Sequence, residues 1–375
     1  MSIPKIEFRG VWKNYESVTA LRDVTYSIEP NEFFVLFGPS GAGKTTTLKI
    51  IAGIEFLSQG DLYLNGKLSN FVKPQERNVR MAFENYSLYP HMTVFDNLAS
   101  PLGARRLSRK EIRNKVETIA KTLDIGSYLE RLPRELSGGQ KQRVALGRAL
   151  IVESDLFLLD EPLAHLDAKI RNELRAEFQN IKSILSNSTV VYVTHDYMEA
   201  MALGDRMCVI QNGKIVQIDE PKKVYNQPRN TFVAELLGHP TINLIEGELK
   251  RKNDGIHLVR DGFSVKIPKA LVPTLRSYKK DTVILGFRPK DVLYELKKPK
   301  KPGDSQKAAI RAYEIRNYKG VILAEVDQIA VTIQCSGYEK VEEGRDIWLR
   351  PDAAKMYLFD AETRENLVKH STRGE

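Results

Sequence analysis

Apolar positions in the first 235 residues fall into short runs separated by amphipathic segments, which predicts an α/β domain with a mainly parallel sheet. Three runs read as strands buried on both faces: Phe33–Phe37, Leu156–Leu159 and Val190–Thr194, each bounded by turn or polar residues. Two stripes read as core-facing surface helices. Ser108 and Glu111 have capping-box spacing, and Ile112, Val116, Ile119 and Leu123 follow on one face, with Gly126 as the stop. Ile170, Leu174, Phe178, Ile181 and Leu185 recur at intervals of 4, 4, 3 and 4.

The pattern changes near Gly238–Pro240. Beyond it come alternating short runs and the turn pairs Asp254-Gly255, Asp261-Gly262 and Pro302-Gly303, which predict a β-meander or small barrel. The expected domains are therefore 1–235 and a β-rich 236–375, with a helical subdomain over about 85–150.

Composition removes whole classes. With 375 residues, 42% hydrophobic and 28% charged, the chain is neither disordered, collagenous nor a disulfide scaffold. No stretch reaches the roughly 18 uncharged apolar residues of a membrane-spanning helix. The start, MSIPKIEFRG, carries charges where a signal peptide needs an apolar core, and Cys208 and Cys335 lie far apart, so a reducing, cytosolic compartment is expected. The net charge of +9 is compatible with nucleic acid, anionic lipid or a nucleotide, and selects none of them. The run Lys297-Lys298-Pro299-Lys300-Lys301-Pro302 has no interleaved aromatics and reads as a solvated loop.

Three motifs carry chemistry. Gly38-Pro39-Ser40-Gly41-Ala42-Gly43-Lys44-Thr45 fits G-x-x-x-x-G-K-[ST] between the strand Phe33–Phe37 and a helical segment from Thr46. Its glycines let backbone N–H groups converge on phosphate oxygens. Lys44 is suited to the β- and γ-phosphates, and the Thr45 hydroxyl to Mg²⁺. The apolar run 156–159 delivers Asp160 to a strand's C-terminal end, where α/β folds bind ligands, and Glu161 follows it. Asp160 suits Mg²⁺; Glu161 suits a base that polarises an attacking water. Third, Ser137-Gly138-Gly139-Gln140 combines an N-cap serine with glycines that admit a phosphate, about ninety residues after the first loop. One nucleotide does not need two such sites on one chain. The economical explanation is that Ser137–Gln140 closes over the γ-phosphate held by another subunit.

Taken together, these residues resemble the nucleotide-binding subunits of ABC transporters over nearly the whole chain. The resemblance implies an α/β P-loop NTPase domain with a helical subdomain, followed by an all-β OB-like domain that dimerises and receives regulatory signals. It further implies that Tyr15 and Val18, followed by Ala20-Leu21, form the loop that stacks adenine; that Ser40–Thr46 hold the triphosphate; that His195, after Thr194, contacts the γ-phosphate; and that Asp167 links the two sites across a dimer. Asn85–Val94, Pro221…Tyr225…Pro228…Phe232, Gly286-Phe287-Arg288-Pro289 and Tyr357–Asp360 are similar to the maltose and glycerol-3-phosphate type of importer. That type implies ATP and Mg²⁺, permease subunits, an external solute-binding protein acting indirectly, no nucleic-acid partner, and a peripheral place on the cytoplasmic face of the inner membrane. Two roles stay open for Tyr86, Leu88 and Tyr89, as exposed apolar anchors for the permease or as packing within the ATPase itself.

Two positions depart from the pattern. Glu84 stands where the family has a glutamine that reaches Mg²⁺; its carboxylate is still an oxygen ligand. Ala164-His165-Leu166-Asp167 replaces the usual Ser-Asn-Leu-Asp, which is similar to importers that employ two distinct ATPase chains, so a homodimer and a heterodimer both stay open. Two rivals from other classes are an ATPase of this family acting on DNA or ribosomes, and an ATPase switch whose C-terminal domain does the regulatory work.

Overall fold

The computed structural model describes residues 3–82, 88–103, 106–162, 182, 185–299, 305–316 and 319–368. The second predicted stripe, except for buried Leu185, lies outside the described residues, as do Pro302-Gly303, Glu84, Tyr86 and Ala164–Asp167. Two compact units result, Met1–Val224 and Tyr225–Glu375.

In the first unit a six-stranded sheet runs in the order Lys214–Asp219, Arg206–Gln211, Phe33–Phe37, Thr189–Thr194, Leu156–Asp160, Val79–Ala82. All pairs are parallel except the first, which is a hairpin. The three strands read from continuous apolar runs are its middle, and every residue of each is buried. That double burial is why they lack polar alternation. A second, antiparallel sheet has the order Val18–Ile28, Ile6–Tyr15, Gln59–Leu64, Lys67–Leu68. One core joins both sheets to the helix Lys44–Ala52, with Phe8, Tyr26 and Phe34 stacked at centroid distances of 4.9 and 5.4 Å.

The capping box at Ser108 is formed: Glu111 N–H donates to Ser108 Oγ at 3.3 Å and Ser108 N–H to Glu111 Oε2 at 2.7 Å. The helix covers Arg109–Thr122, and Leu123 is its C-cap. Its stop is Asp124, whose φ of 51° turns the chain into the left-handed region, and not Gly126, which opens a short 3₁₀ turn. A short polar side chain tolerates that region, so the glycine was not needed there.

The second unit holds two five-stranded antiparallel sheets around one core, as the turn spacing predicted. Arg260 pairs with Phe263 across the two-residue turn Asp261-Gly262, with Asp261 at a φ of 49°. The expected boundary at 236 is corrected to Tyr225. Arg288 is the physical reason: it is 2% exposed, donates through Nη2 to the Tyr225 carbonyl at 2.7 Å and through Nη1 to the Leu237 carbonyl, and lies 3.7 Å over the Tyr225 ring. Ala234 also packs with Ile242, Ile284 and Phe359. The segment 225–237 therefore belongs to the β-rich unit. Arg288→Met should cost that unit about 2–4 kcal/mol, because two buried carbonyls lose a charged donor. Arg288→Lys should not restore it, since a point charge cannot fork between two carbonyls. With Trp12→Phe, the remaining Trp348 of the two tryptophans reports denaturant unfolding of this unit alone.

Candidate nucleotide-binding site

Parallel strands pointing the same way bring their C-terminal ends together, and the chemistry collects there. Phe33–Phe37 feeds the loop 38–43 and the helix from Lys44; Leu156–Asp160 ends on Asp160; Thr189–Thr194 is followed by His195. Lys44 is 4% exposed, and its Nζ donates to the carbonyls of Gly38 at 2.9 Å and Pro39 at 3.0 Å, with Glu161 Oε1 at 3.5 Å. The other Glu161 oxygen lies 2.7 Å from His195 Nδ1. Thr45 Oγ1 donates to Asp160 Oδ1 at 3.1 Å. Five of the predicted residues, Lys44, Thr45, Asp160, Glu161 and His195, are thus one connected group.

Glu161 occupies the left-handed region with φ 43°. For a residue with a Cβ this costs on the order of 1–3 kcal/mol, so the surroundings must hold it. Its N–H donates to the Val193 carbonyl at 3.1 Å, and its carboxylate is gripped from both sides as described. The bend aims the carboxylate away from the strand axis toward Lys44 and His195.

The donor set suits a small hard cation. Thr45 Oγ1 and Asp160 Oδ1 are oxygen ligands 3.1 Å apart. Adjacent ligands of an octahedral Mg²⁺ with bonds of about 2.1 Å stand about 3 Å apart, so the two oxygens need little movement to share one ion.

A cavity of about 780 Å³ opens in front of this group, lined by Val18–Ala20, Arg22, Ser40, Gly41, Gly43–Thr46, Glu161, Asn212 and Lys214. Ala42, also predicted, is buried behind the loop, where its carbonyl accepts from Gly213 N–H at 3.0 Å. Tyr15 stands outside the lining: its ring lies under the Lys13 ammonium at 4.5 Å. Ser137–Gln140 do not line it either. They open the helix Gly138–Leu150, where Gln140 N–H donates to Ser137 Oγ at 3.3 Å and Ser137 and Gly138 are exposed. Leu88 is half-buried and Tyr89 is exposed, carrying the Arg148 guanidinium 4.5 Å from its ring.

The sequence reading missed Arg22, Asn212 and Lys214. The Asn212-Gly213 turn between two apolar runs was a visible hairpin signal. Its closeness to the phosphate loop was not, because the contact spans some 170 residues.

Residues 21–164 match the ABC transporter family, and residues 238–292 match the MalK OB fold domain. Over 364 residues the chain is 39% identical to the oligosaccharides import ATP-binding protein MsmX of Bacillus subtilis, covering 96% of this chain and 98% of that protein. The chain belongs to the ABC transporter ATP-binding family. Nucleotide use comes with that membership. The trehalose/maltose import ATP-binding protein MalK of Thermococcus litoralis is likewise 39% identical to this ABC protein over 373 residues, 94% of this chain and 96% of that one. Among solved structures, the ATP-binding cassette MJ0796 in a dimeric post-hydrolysis state bound to ADP and Pi has 28% identity and a TM-score of 0.53, over 58% of this chain and 98% of that chain. Among the described residues no helix is long and apolar enough to cross a membrane.

Gly213 tests the hairpin's role in this ABC site. Its φ is +76°, and a Cβ there would stand 2.6 Å from the Ala20 carbonyl oxygen. Gly213→Ala should push the hairpin off the phosphate loop and weaken ATP binding by about 1–2 kcal/mol, without removing any lining side chain. Calorimetric titration of parent and variant reads this directly.

Proposed function

We propose that the chain is the ATP-hydrolysing subunit of an importer for a sugar, oligosaccharide or polyol, working on the cytoplasmic face of the membrane with separate permease subunits. The observation that carries the proposal is 39% identity over nearly the full length of two carbohydrate-import ATP-binding proteins, combined with the connected group at Lys44–Glu161. An external solute-binding protein takes part only through the permease.

In this reading the Ser40–Thr46 backbone and Lys44 hold the β- and γ-phosphates, and the positive end of the helix Lys44–Ala52 adds to their field. Arriving phosphate oxygens replace Glu161 as the anionic partner of Lys44, which frees that carboxylate to take a proton from water. His195 uses Nδ1 to hold Glu161, and its Nε2 is left for the γ-phosphate. Thr45 and Asp160 would hold Mg²⁺, with Glu84 a third candidate ligand, and bound Mg²⁺ would supply charge neutralisation for phosphoryl transfer. Tyr15 and Val18 take the adenine. Ser137–Gln140 of one chain, with Asp167, close over the nucleotide of a second chain, because a capped helix N-terminus exposed at Ser137 and Gly138 is an anion site that its own cavity does not use. ATP favours the closed pair, and loss of the γ-phosphate opens it.

Glu161→Gln keeps the site's shape and removes the base. With Mg-ATP its solution mass should double, and Ser137→Arg should abolish the doubling. A chain that binds nucleotide yet never pairs with itself points to a second, different ATPase chain. Failure to bind nucleotide at all removes the proposal.

A further inference from the structure

His195 meets Glu161 through Nδ1 at 2.7 Å, yet the His195 side chain is half exposed, so packing alone does not fix its ring. The turn that carries the ring must do so. His195 follows the strand Thr189–Thr194 and precedes Asp196, the N-cap of the helix Tyr197–Leu203. Asp196 Oδ1 accepts from Met198 N–H at 2.7 Å and from Glu199 N–H at 3.3 Å, which ties the turn to the helix. Asp196 N–H donates to Thr194 Oγ1 at 2.9 Å, which ties the same turn to the strand. His195 is the residue bracketed by these two anchors.

Both anchors lead to one buried carboxylate. Tyr192 and Thr194 stand two apart on their strand, so their side chains share a face. Thr194 Oγ1 donates to Glu199 Oε2 at 2.7 Å, and the Tyr192 hydroxyl donates to the same oxygen at 2.8 Å. Glu199 is 3% exposed, and both hydroxyl-bearing residues are buried. A hydroxyl has one proton to give. With the Thr194 proton committed to Glu199, a lone pair is what Thr194 turns toward Asp196 N–H. The chain therefore runs in one direction: Glu199 orients the Thr194 hydroxyl, the hydroxyl holds Asp196, and the turn so held presents the His195 ring. Glu161 is tied to the same strand, its N–H donating to the Val193 carbonyl at 3.1 Å. None of Tyr192, Thr194 and Glu199 lines the nucleotide cavity.

We propose that Glu199 is a positioning residue for ATP hydrolysis, which acts through Thr194 and the turn at Asp196 to hold His195 against Glu161. This rests on the reading above that His195 and Glu161 act together on the γ-phosphate and the attacking water. Without the Glu199 oxygen the Thr194 hydroxyl is free to rotate, and its hold on Asp196 N–H is no longer set. A displacement of the ring by about 1 Å is enough to slow a reaction that depends on alignment by tenfold or more. The phosphate loop and Lys44 take no part in this chain of contacts, so the grip on nucleotide stays as it is.

The test measures steady-state ATP hydrolysis by the full chain together with calorimetric binding of a non-hydrolysable ATP analogue. Glu199→Leu removes the acceptor, and Glu199→Gln keeps an oxygen in its place. Thr194→Val keeps the side chain's shape and loses both hydrogen bonds, whereas Thr194→Ser keeps both. The Leu and Val variants should lose kcat at least tenfold, with KM and the analogue's Kd within twofold of the parent. The Gln and Ser variants should recover kcat to within about threefold. In protein labelled with ¹⁵N-histidine, the His195 ring signals, assigned by their loss in His195→Ala, should shift in the Val variant and not in the Ser variant. Equal losses of kcat in Thr194→Val and Thr194→Ser, or weakened analogue binding in step with a lowered melting midpoint, would make the network purely structural and overturn the proposal. Parent-like kcat in the Leu and Val variants beside a collapse in His195→Ala overturns the positioning role alone. Parent-like hydrolysis by His195→Ala removes the reading of His195 on which that role rests. Should Glu199→Leu fail to fold, the Thr194 pair decides, since neither of its members adds bulk.

Discussion

A charged ammonium with 4% exposure cannot stand among apolar strands unless oxygen atoms replace its water. Lys44 finds those oxygens in the carbonyls of Gly38 and Pro39 and in the Glu161 carboxylate. Each partner then constrains something else. The two carbonyls fold the phosphate loop back over its own lysine, and the carboxylate requires the strand Leu156–Asp160 to end level with Phe33–Phe37. The sheet order, with Thr189–Thr194 between them, brings His195 to the same level. The protein's own oxygens thus stand where the proposed function places phosphate oxygens around Lys44.

The helix that starts at Lys44 is finished by the same kind of device. Arg77 is 8% exposed, and burial pulls its guanidinium below the usual value. It donates to the carbonyls of Ile50 at 2.7 Å, Ile51 at 2.9 Å, Ser69 at 2.7 Å and Val72 at 2.8 Å. Two of these, Ile50 and Ile51, lie in the helix's last turn, where a cation complements the dipole. The positive helix end therefore faces the cavity while the negative end is neutralised within the protein. Arg288 serves the β-rich unit in the same way, through the carbonyls of Tyr225 and Leu237. Planar donors that saturate backbone carbonyls do not depend on an acid that must itself be buried, which avoids the second desolvation of an ion pair.

Local signals and long contacts explain which features were legible. The three central strands announced themselves because burial on both faces demands unbroken apolar runs, and the phosphate loop because its glycines, lysine and threonine act within a few residues of one another. Ser108, Ser137 and their partners three residues on were equally local. What stayed hidden depends on pairs far apart in sequence. The unit boundary at Tyr225 is set by Arg288, 63 residues later. Arg22 and Lys214 meet at the cavity only because an Asn-Gly turn is pinned to Ala42. The stop at Asp124 was missed for another reason: glycine is the usual left-handed residue, and aspartate takes that conformation often enough to end a helix two residues early.

The proposed pairing of the phosphate loop with Ser137–Gln140 of a second chain draws its support from the geometry of the helix start. Ser137 uses its hydroxyl to cap its own helix, accepting from Gln140 N–H, while the Gln140 side-chain oxygen Oε1 accepts from Ser137 N–H at 3.0 Å. This reciprocal cap holds the first turn rigid and leaves Gly138 exposed, with no Cβ to keep a phosphate away. None of these residues lines the cavity that Lys44 serves. In the proposed function a γ-phosphate held by Lys44 would turn one face outward, where the exposed helix start at Ser137 and Gly138 of a second chain could meet it. Under the proposed function two chains facing each other would satisfy both groups with the same oxygens, so each composite site would need the phosphate loop of one chain and Ser137–Gln140 of the other.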